Sequence, residues 1–177
     1  SYGGSGLSRL DAAIIFEELS RGCVSTAAYI SIHNMVTWMI DAHGSDAIKE
    51  RFINKLSTME IMSSYCLTEP GSGSDLASLA TKAEDTGTNF LVNGQKVWTS
   101  RAEYSDLIML LVKTNQEAKE SKNSLSLFLI DMRQHIGKEI IIKPIRTMVN
   151  HSTTEIFFDN LEVDESCICL LYTSPSP

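Results

Sequence analysis

The sequence predicts an α+β fold in which N-terminal helices are followed by an antiparallel β-barrel-like domain. Three observations carry this expectation. Apolar residues recur at helical spacing through the first third of the chain, short β-type runs take over after about Met62, and Asn93-Gly94 separates two of those runs.

The first helix is expected to begin at Ser8, which with Asp11 resembles a capping box. Leu7, Leu10 and Ile14 share one face, and Gly22 supplies a stop. Over residues 25–43, Ala28, Ile32, Met35 and Met39 mark a second helix. Gly44 and Ser45 close it and cap a third, which carries Ile48, Phe52 and Leu56. These stripes must pack on one another or on something beyond this chain. The β-type runs are 90–92, 96–99, 107–112, 125–130, 139–142 and 156–158, and Asn93-Gly94 reads as a type I′ hairpin turn. Residues 117–123 read as a charged, solvated loop. The stretch from Cys169 to Pro177 breaks the pattern, resembles read-through of a sequencing adapter, and is left out of the expected fold.

At 177 residues with 43% hydrophobic content, the chain has room for one domain or parts of two and can build a sizeable core. Its formal charge of −7 is spread along the chain without a basic stripe, which argues against nucleic acid. No apolar run is long enough for a membrane span and no signal peptide is evident; the start at Ser1-Tyr2-Gly3-Gly4, without Met, fits a fragment or a trimmed chain. Cys23 and Cys66 lie in apolar stretches and read as buried and reduced, which implies a reducing compartment. Cys167 and Cys169 lack a second Cys/His pair at zinc-ligand spacing, so no metal site is expected.

The segment with the most chemistry is Tyr65-Cys66-Leu67-Thr68-Glu69-Pro70-Gly71-Ser72-Gly73-Ser74-Asp75, an apolar strand running into a loop of small residues. Gly71 and Gly73 let backbone N–H groups approach a ligand, and Thr68, Ser72 and Ser74 add hydroxyls, which suits a phosphate-bearing anion. It is neither a Walker A loop nor a dinucleotide fingerprint, and its composition is equally that of a plain turn. The second segment is Asn93-Gly94-Gln95-Lys96-Val97-Trp98-Thr99-Ser100, a strand ending in one large aromatic and two hydroxyls. A Trp in a strand is more often core than cofactor wall.

Together these segments resemble the acyl-CoA dehydrogenase family, whose middle domain carries Tyr-Cys-Val/Leu-Thr-Glu-Pro-Gly-x-Gly-Ser-Asp and then Asn-Gly-x-Lys-x-Trp-Ile-Thr. The opening Tyr2-Gly3-Gly4-Ser5-Gly6-Leu7-Ser8 and the run Phe158-Asp159-Asn160-Leu161-Glu162-Val163 are similar to family segments in the same order. The resemblance implies that residues 1–62 are the C-terminal part of the N-terminal helical domain and 63–166 a middle β-domain binding flavin, with 167–177 a non-native or disordered tail. The family's C-terminal four-helix domain, and the carboxylate base it carries, would lie outside this sequence.

By the same resemblance, Tyr65, Leu67 and Thr68 lie along the isoalloxazine ring of FAD. Gly73 and Ser74 face its pyrophosphate, Trp98 walls the flavin, and Thr99 and Ser100 complete the set, with Ser100 near N5. Ser74 also meets the acyl-CoA substrate. Glu69 is expected to fix the loop and not to act as the base. The implied activity is α,β-dehydrogenation of an acyl-CoA thioester to the trans-2-enoyl-CoA, with electrons passed to an electron-transferring flavoprotein by a homo-oligomer, a tetramer by family resemblance. The location would be the cytoplasm of a bacterium or the mitochondrial matrix of a eukaryote. The alternative is a non-catalytic flavin-site fragment.

Two departures stand out. Family members often read Trp-Ile-Thr-Asn-Gly where this chain has Trp98-Thr99-Ser100-Arg101-Ala102, and the loop holding His151 also differs, that histidine being a ligand contact or simply exposed. Tyr29 falls in the segment that lines the family's acyl pocket, where an inward ring would shorten the cavity and favour short or branched substrates.

Overall fold

The computed structural model describes residues 4–114, 125–148 and 152–171. The charged loop at 117–123 and His151 lie outside these residues.

Helix α1 (Arg9–Gly22) starts where Ser8 and Asp11 form the expected capping box, the Asp11 carboxylate accepting from Ser8 N at 2.8 Å. The break before α2 (Val24–His43) falls at Cys23, whose extended backbone (φ −156°) ends one helix and opens the next. Cys23 is exposed, contrary to the sequence expectation; the apolar stretch around it is itself uncovered. Helix α3 (Asp46–Ser57) is capped by Ser45, which accepts from Ile48 N at 3.3 Å. None of the helices described is long and apolar enough to cross a membrane.

Among the described residues eight strands follow: β1 (Ser63–Cys66), β2 (Lys82–Asp85), β3 (Asn89–Ser100), β4 (Leu107–Lys113), β5 (Leu125–Asp131), β6 (Ile140–Ile145), β7 (Thr153–Asp164) and β8 (Ile168–Leu171). Their order is β6-β7-β3-β2-β4-β5-β8, with β1 added on β4. Most pairings are antiparallel as expected, but β1 and β2 both run parallel to β4, so the sheet is mixed.

Strand β4 explains how helices and sheet become one body. Its Ile108, Leu110 and Val112 join Val92, Phe128, Ile130, Ile156 and Phe158 in a core between the two halves of the sheet. The alternate residues Leu107, Met109 and Leu111 pack with Val36 and Ile40 of α2 and Ile48, Phe52 and Leu56 of α3. A strand covered on both faces has to be apolar at every position, hence the unbroken run from Leu107 to Val112. Between the layers, His33 is 2% exposed; its Nε2 lies 2.9 Å from Leu56 O, and its Nδ1 accepts from Ser63 N at 3.2 Å. One ring thus ties α2, the end of α3 and the start of β1. Helix α1 packs on α2 but has no buried residue, and Leu10 and Ile14 remain 69% and 53% exposed.

Two further sequence expectations are corrected. Asn93-Gly94 is not a hairpin turn: the two runs around it form the single twelve-residue strand β3, and the hairpin lies earlier, at Thr86-Gly87-Thr88, where Gly87 has φ +88°. Gly94 is needed for another reason, because a Cβ there would lie 2.7 Å from the Thr81 Cα. The excluded C-terminal stretch, for its part, begins with ordered structure. Residues 168–171 form β8 against β5, Cys169 is 5% exposed, and residues 172–177 lie outside the described part.

Candidate functional site

The small-residue loop leaves β1 at Cys66 and is built around Glu69. Its N–H donates to Ser72 O at 2.9 Å and its carbonyl accepts from Ser72 N at 3.1 Å, closing a tight turn through Pro70 and Gly71. The Ser72 hydroxyl, expected to face a ligand, is buried and donates to Asp75 O within the loop. Gly73 and Ser74 are exposed instead. A Cβ on Gly71 or Gly73 would meet nothing within 4 Å, so the loop presents its backbone to open space, as close approach by a ligand requires.

The Glu69 carboxylate turns inward, 6% exposed, and accepts from Ala80 N at 2.6 Å, Thr81 N at 2.9 Å and Lys96 Nζ at 2.8 Å. Burial opposes its ionisation, yet the hydrogen bonds from Lys96, Thr81 and Ala80 outweigh that and hold its pKa below the ordinary value. A carboxylate so committed is a loop anchor and not a proton acceptor. Lys96 is 0% exposed and also donates to Leu67 O at 3.0 Å; burial pulls its pKa below the usual lysine value despite the partner. Sequence reasoning passed over Lys96, although a lysine inside an otherwise inward-alternating strand, two residues before Trp98, was a readable signal.

Strand β3 presents the second segment through a bulge. Lys96 pairs with Ile156 but Thr99 with Thr154, so β3 holds one residue more than β7 over this stretch. Trp98 takes up that residue at φ +62° and is 59% exposed. A bulky residue in this region costs about 1–3 kcal/mol, a strain that marks functional surfaces more than cores. Beside the bulge, Val97 N donates to Thr68 O at 2.8 Å, so the start of the loop lies directly against the strand that carries the exposed Trp98. Tyr65 and Leu67 are half-buried along β1 and its exit, packed partly against the helix-side core.

Thr99 differs from its neighbours. It is 2% exposed and its hydroxyl lies 3.6 Å from Cys66 Sγ, beneath the strand and turned away from Trp98. Burial raises the Cys66 thiol to about 11, so it stays protonated and inert. Ser100 is half-buried, its carbonyl accepting from the Ser64 hydroxyl at 2.8 Å. Arg101 follows at φ +61°, its guanidinium 5.3 Å and 5.7 Å from the ring centres of Tyr29 and Tyr104. Among the described residues no group of three or more His, Cys, Asp or Glu side chains could hold a metal ion.

The structure therefore joins β1 and the loop after it to β3 at Ser64 and Ser100, Cys66 and Thr99, and Thr68 and Val97, with Gly73, Ser74 and Trp98 exposed, Tyr65, Leu67, Thr68 and Ser100 half-buried and the Thr99 side chain buried. Residues 64–161 match the family described as acyl-CoA dehydrogenase, middle domain, and residues 1–60 match its N-terminal domain. The chain is 51% identical over 112 residues to the mitochondrial isobutyryl-CoA dehydrogenase of Bos taurus, covering 63% of this chain and 27% of that protein. It is 33% identical over 174 residues to the glutaryl-CoA dehydrogenase of Desulfococcus multivorans, covering 94% and 43% respectively. The crystal structure of an acyl-CoA dehydrogenase from Geobacillus kaustophilus superposes with a TM-score of 0.87 at 30% identity, over 95% of this chain and 44% of that one. The chain thus spans less than half the length of these relatives, and by its matched domains it belongs to the acyl-CoA dehydrogenase family.

Proposed function

We propose that the full-length protein containing this chain binds FAD and converts an acyl-CoA thioester to the trans-2-enoyl-CoA, passing the electrons to an electron-transferring flavoprotein. The observation that carries this reading is the joining of two surfaces: an open Gly/Ser loop and an aromatic wall held out by a strained bulge, linked through Thr68 O and Val97 N. The first suits a pyrophosphate and the second a flat ring.

In this reading Gly73 and Ser74 hold the FAD pyrophosphate, and Ser74 also touches the substrate. Tyr65, Leu67 and Thr68 line the flavin ring, Trp98 covers it, and Ser100 donates a hydrogen bond near N5. Thr99 contributes through its backbone, since its side chain points inward. When bound, the flavin supplies the hydride acceptor. The chain's own residues orient the ring and aim donors at its reactive edge, where charge develops on reduction. Removal of the α-proton needs a carboxylate; Glu69 is committed to the loop, and by the family resemblance the base belongs to a C-terminal helical domain outside these residues.

The Bos taurus relative, named for isobutyryl-CoA, supports a short branched acyl group. Tyr29, in the segment that lines the family's acyl pocket, is buried at 7% exposure with its ring beside His33 and Arg101. We place the protein in the mitochondrial matrix if its source is a eukaryote, following that relative, and in the cytoplasm if bacterial.

The full-length protein should purify yellow and be bleached by isobutyryl-CoA faster than by a C16 acyl-CoA. A colourless, folded protein would overturn the FAD reading, and a C16 preference the substrate reading. Gly73→Asp gives a sharper test of the loop. The backbone there accepts a side chain without collision, so stability should hold while the added carboxylate repels the pyrophosphate. Titration should show FAD affinity reduced at least about tenfold with an unchanged apo-protein Tm.

A second reading, a flavin-site piece without activity of its own, applies to residues 1–166 in isolation. It is favoured by the uncovered apolar face of α1. Tight stoichiometric FAD in that piece would count against it.

A further inference from the structure

We infer that the buried Lys96–Glu69 pair is the positioning element of the cleft, holding the Gly/Ser loop and the Trp98 bulge in one register so that flavin affinity depends on it although neither side chain faces the ligand. This rests on the FAD reading above and adds to it two residues with no direct flavin contact.

The connectivity makes the case. The Lys96 ammonium bonds to Leu67 O at 3.0 Å and Glu69 Oε1 at 2.8 Å, and the next residue, Val97, donates to Thr68 O at 2.8 Å. Three consecutive loop residues are thereby fixed to two consecutive strand residues, and those two immediately precede the Trp98 bulge. At its other end the loop returns to the same carboxylate, because Ala80 N and Thr81 N donate to Glu69 at 2.6 and 2.9 Å. Strand β1, from which the loop springs, pairs in the sheet with β4 and not with β3. Its relation to Trp98 is set by these bonds, helped by the Ser64 and Thr99 side chains.

Stability alone does not account for such a pair. Desolvating two ions is costly, and replacing both members of such a pair by well-packed apolar side chains is often as stable or more so, whereas removing one member strands the other. What an apolar residue cannot supply is two directed bonds to the residues on either side of Thr68. The two members are also unequal. Removing the ammonium leaves Glu69 with two backbone N–H donors, whereas neutralising the carboxylate leaves a wholly buried cation and sets an amide NH2 against those donors.

The test uses the full-length protein with Lys96→Met, Glu69→Gln and Glu69→Asp. Apo-protein Tm, FAD dissociation constant and the visible circular dichroism of bound flavin are read in parallel. Lys96→Met is expected to lower the apo Tm without abolishing folding, because Glu69 keeps two backbone donors, to weaken FAD at least tenfold and to change the flavin dichroism. Glu69→Gln should lower the apo Tm more than Lys96→Met does. Glu69→Asp keeps the charge but is one methylene too short to reach Lys96 and both backbone N–H groups; it should stay folded and still lose FAD affinity. If Lys96→Met does not fold, Glu69→Asp decides. Wild-type FAD affinity and dichroism in whichever variants fold would overturn the proposal, while a wild-type protein without flavin would instead overturn the FAD reading beneath it.

Discussion

Gly94→Ala is expected to destabilise the protein by about 3 kcal/mol, more than most single substitutions outside a core. The backbone at Gly94 has φ +153°, and the added methyl would sit 2.7 Å from the Thr81 Cα and 2.5 Å from its Oγ1. Relief cannot come from a rotamer change, because one of the colliding atoms is backbone. That backbone is also held: Thr81 N donates to Glu69 Oε1 at 2.9 Å, and Thr81 O accepts from Lys113 N at 2.9 Å. Strand β3 must therefore move away from residue 81, which disturbs the Glu69 clasp as well as the sheet. Denaturant unfolding of the full-length protein should show a lower midpoint with little change in slope, accompanied by weaker FAD binding. A midpoint equal to wild type would mean that the close approach of β3 to Thr81 is wrong.

His33→Phe is the second large effect, expected to cost about 3 kcal/mol. The histidine Nδ1 accepts from Ser63 N, so Nε2 carries the hydrogen and donates to Leu56 O. Phenylalanine removes both bonds in a place that water does not reach, His33 being 2% exposed and Ser63 0%. An unpaired buried N–H contributes about 1–3 kcal/mol of that loss. His33→Asn should recover part of it, because the Asn side-chain oxygen occupies nearly the place of Nδ1 and can accept from Ser63 N. The check is the order of thermal midpoints, wild type above His33→Asn above His33→Phe. Because His33 bridges α2, α3 and β1, the loss should also loosen helices from sheet, seen as faster amide exchange in α3 than in β4. Equal midpoints for the two variants would mean that the hydrogen bonds are not what matters there.

Much of the local structure was legible in the sequence because its signals are local. A capping box at Ser8 and Asp11, a Ser cap at Ser45 and the small-residue loop after Cys66 each depend on residues a few positions apart, and each formed where the sequence placed it. The doubly apolar run from Leu107 to Val112 was also plain. What it packs against was not, since β4 finds α2 and α3 on one side and the opposite half of the sheet on the other.

The errors share a cause. Asn93-Gly94 has the local chemistry of a turn, but β7 supplies partners on both sides of it, and pairing over twelve residues outweighs a two-residue preference. Residues 169–171 were set outside the fold by their composition, yet with Ile168 they pair antiparallel along β5, whose far edge is open to another strand. Cys23 looked buried because its neighbours are apolar, although none of the described residues covers that face.

By itself the sequence determined the helix-then-sheet order, the caps, and the two segments that carry the family resemblance, all of them short-range properties of the chain. Only the tertiary structure decided that Trp98 stands out on a bulge while Thr99 turns in, that Ser72 serves the loop while Gly73 and Ser74 face outward, and that Lys96 reaches across to Glu69. Each of those outcomes depends on which strand lies beside β3 and on how closely the loop after β1 is drawn against it, and such contacts between distant residues leave no periodic trace in the sequence.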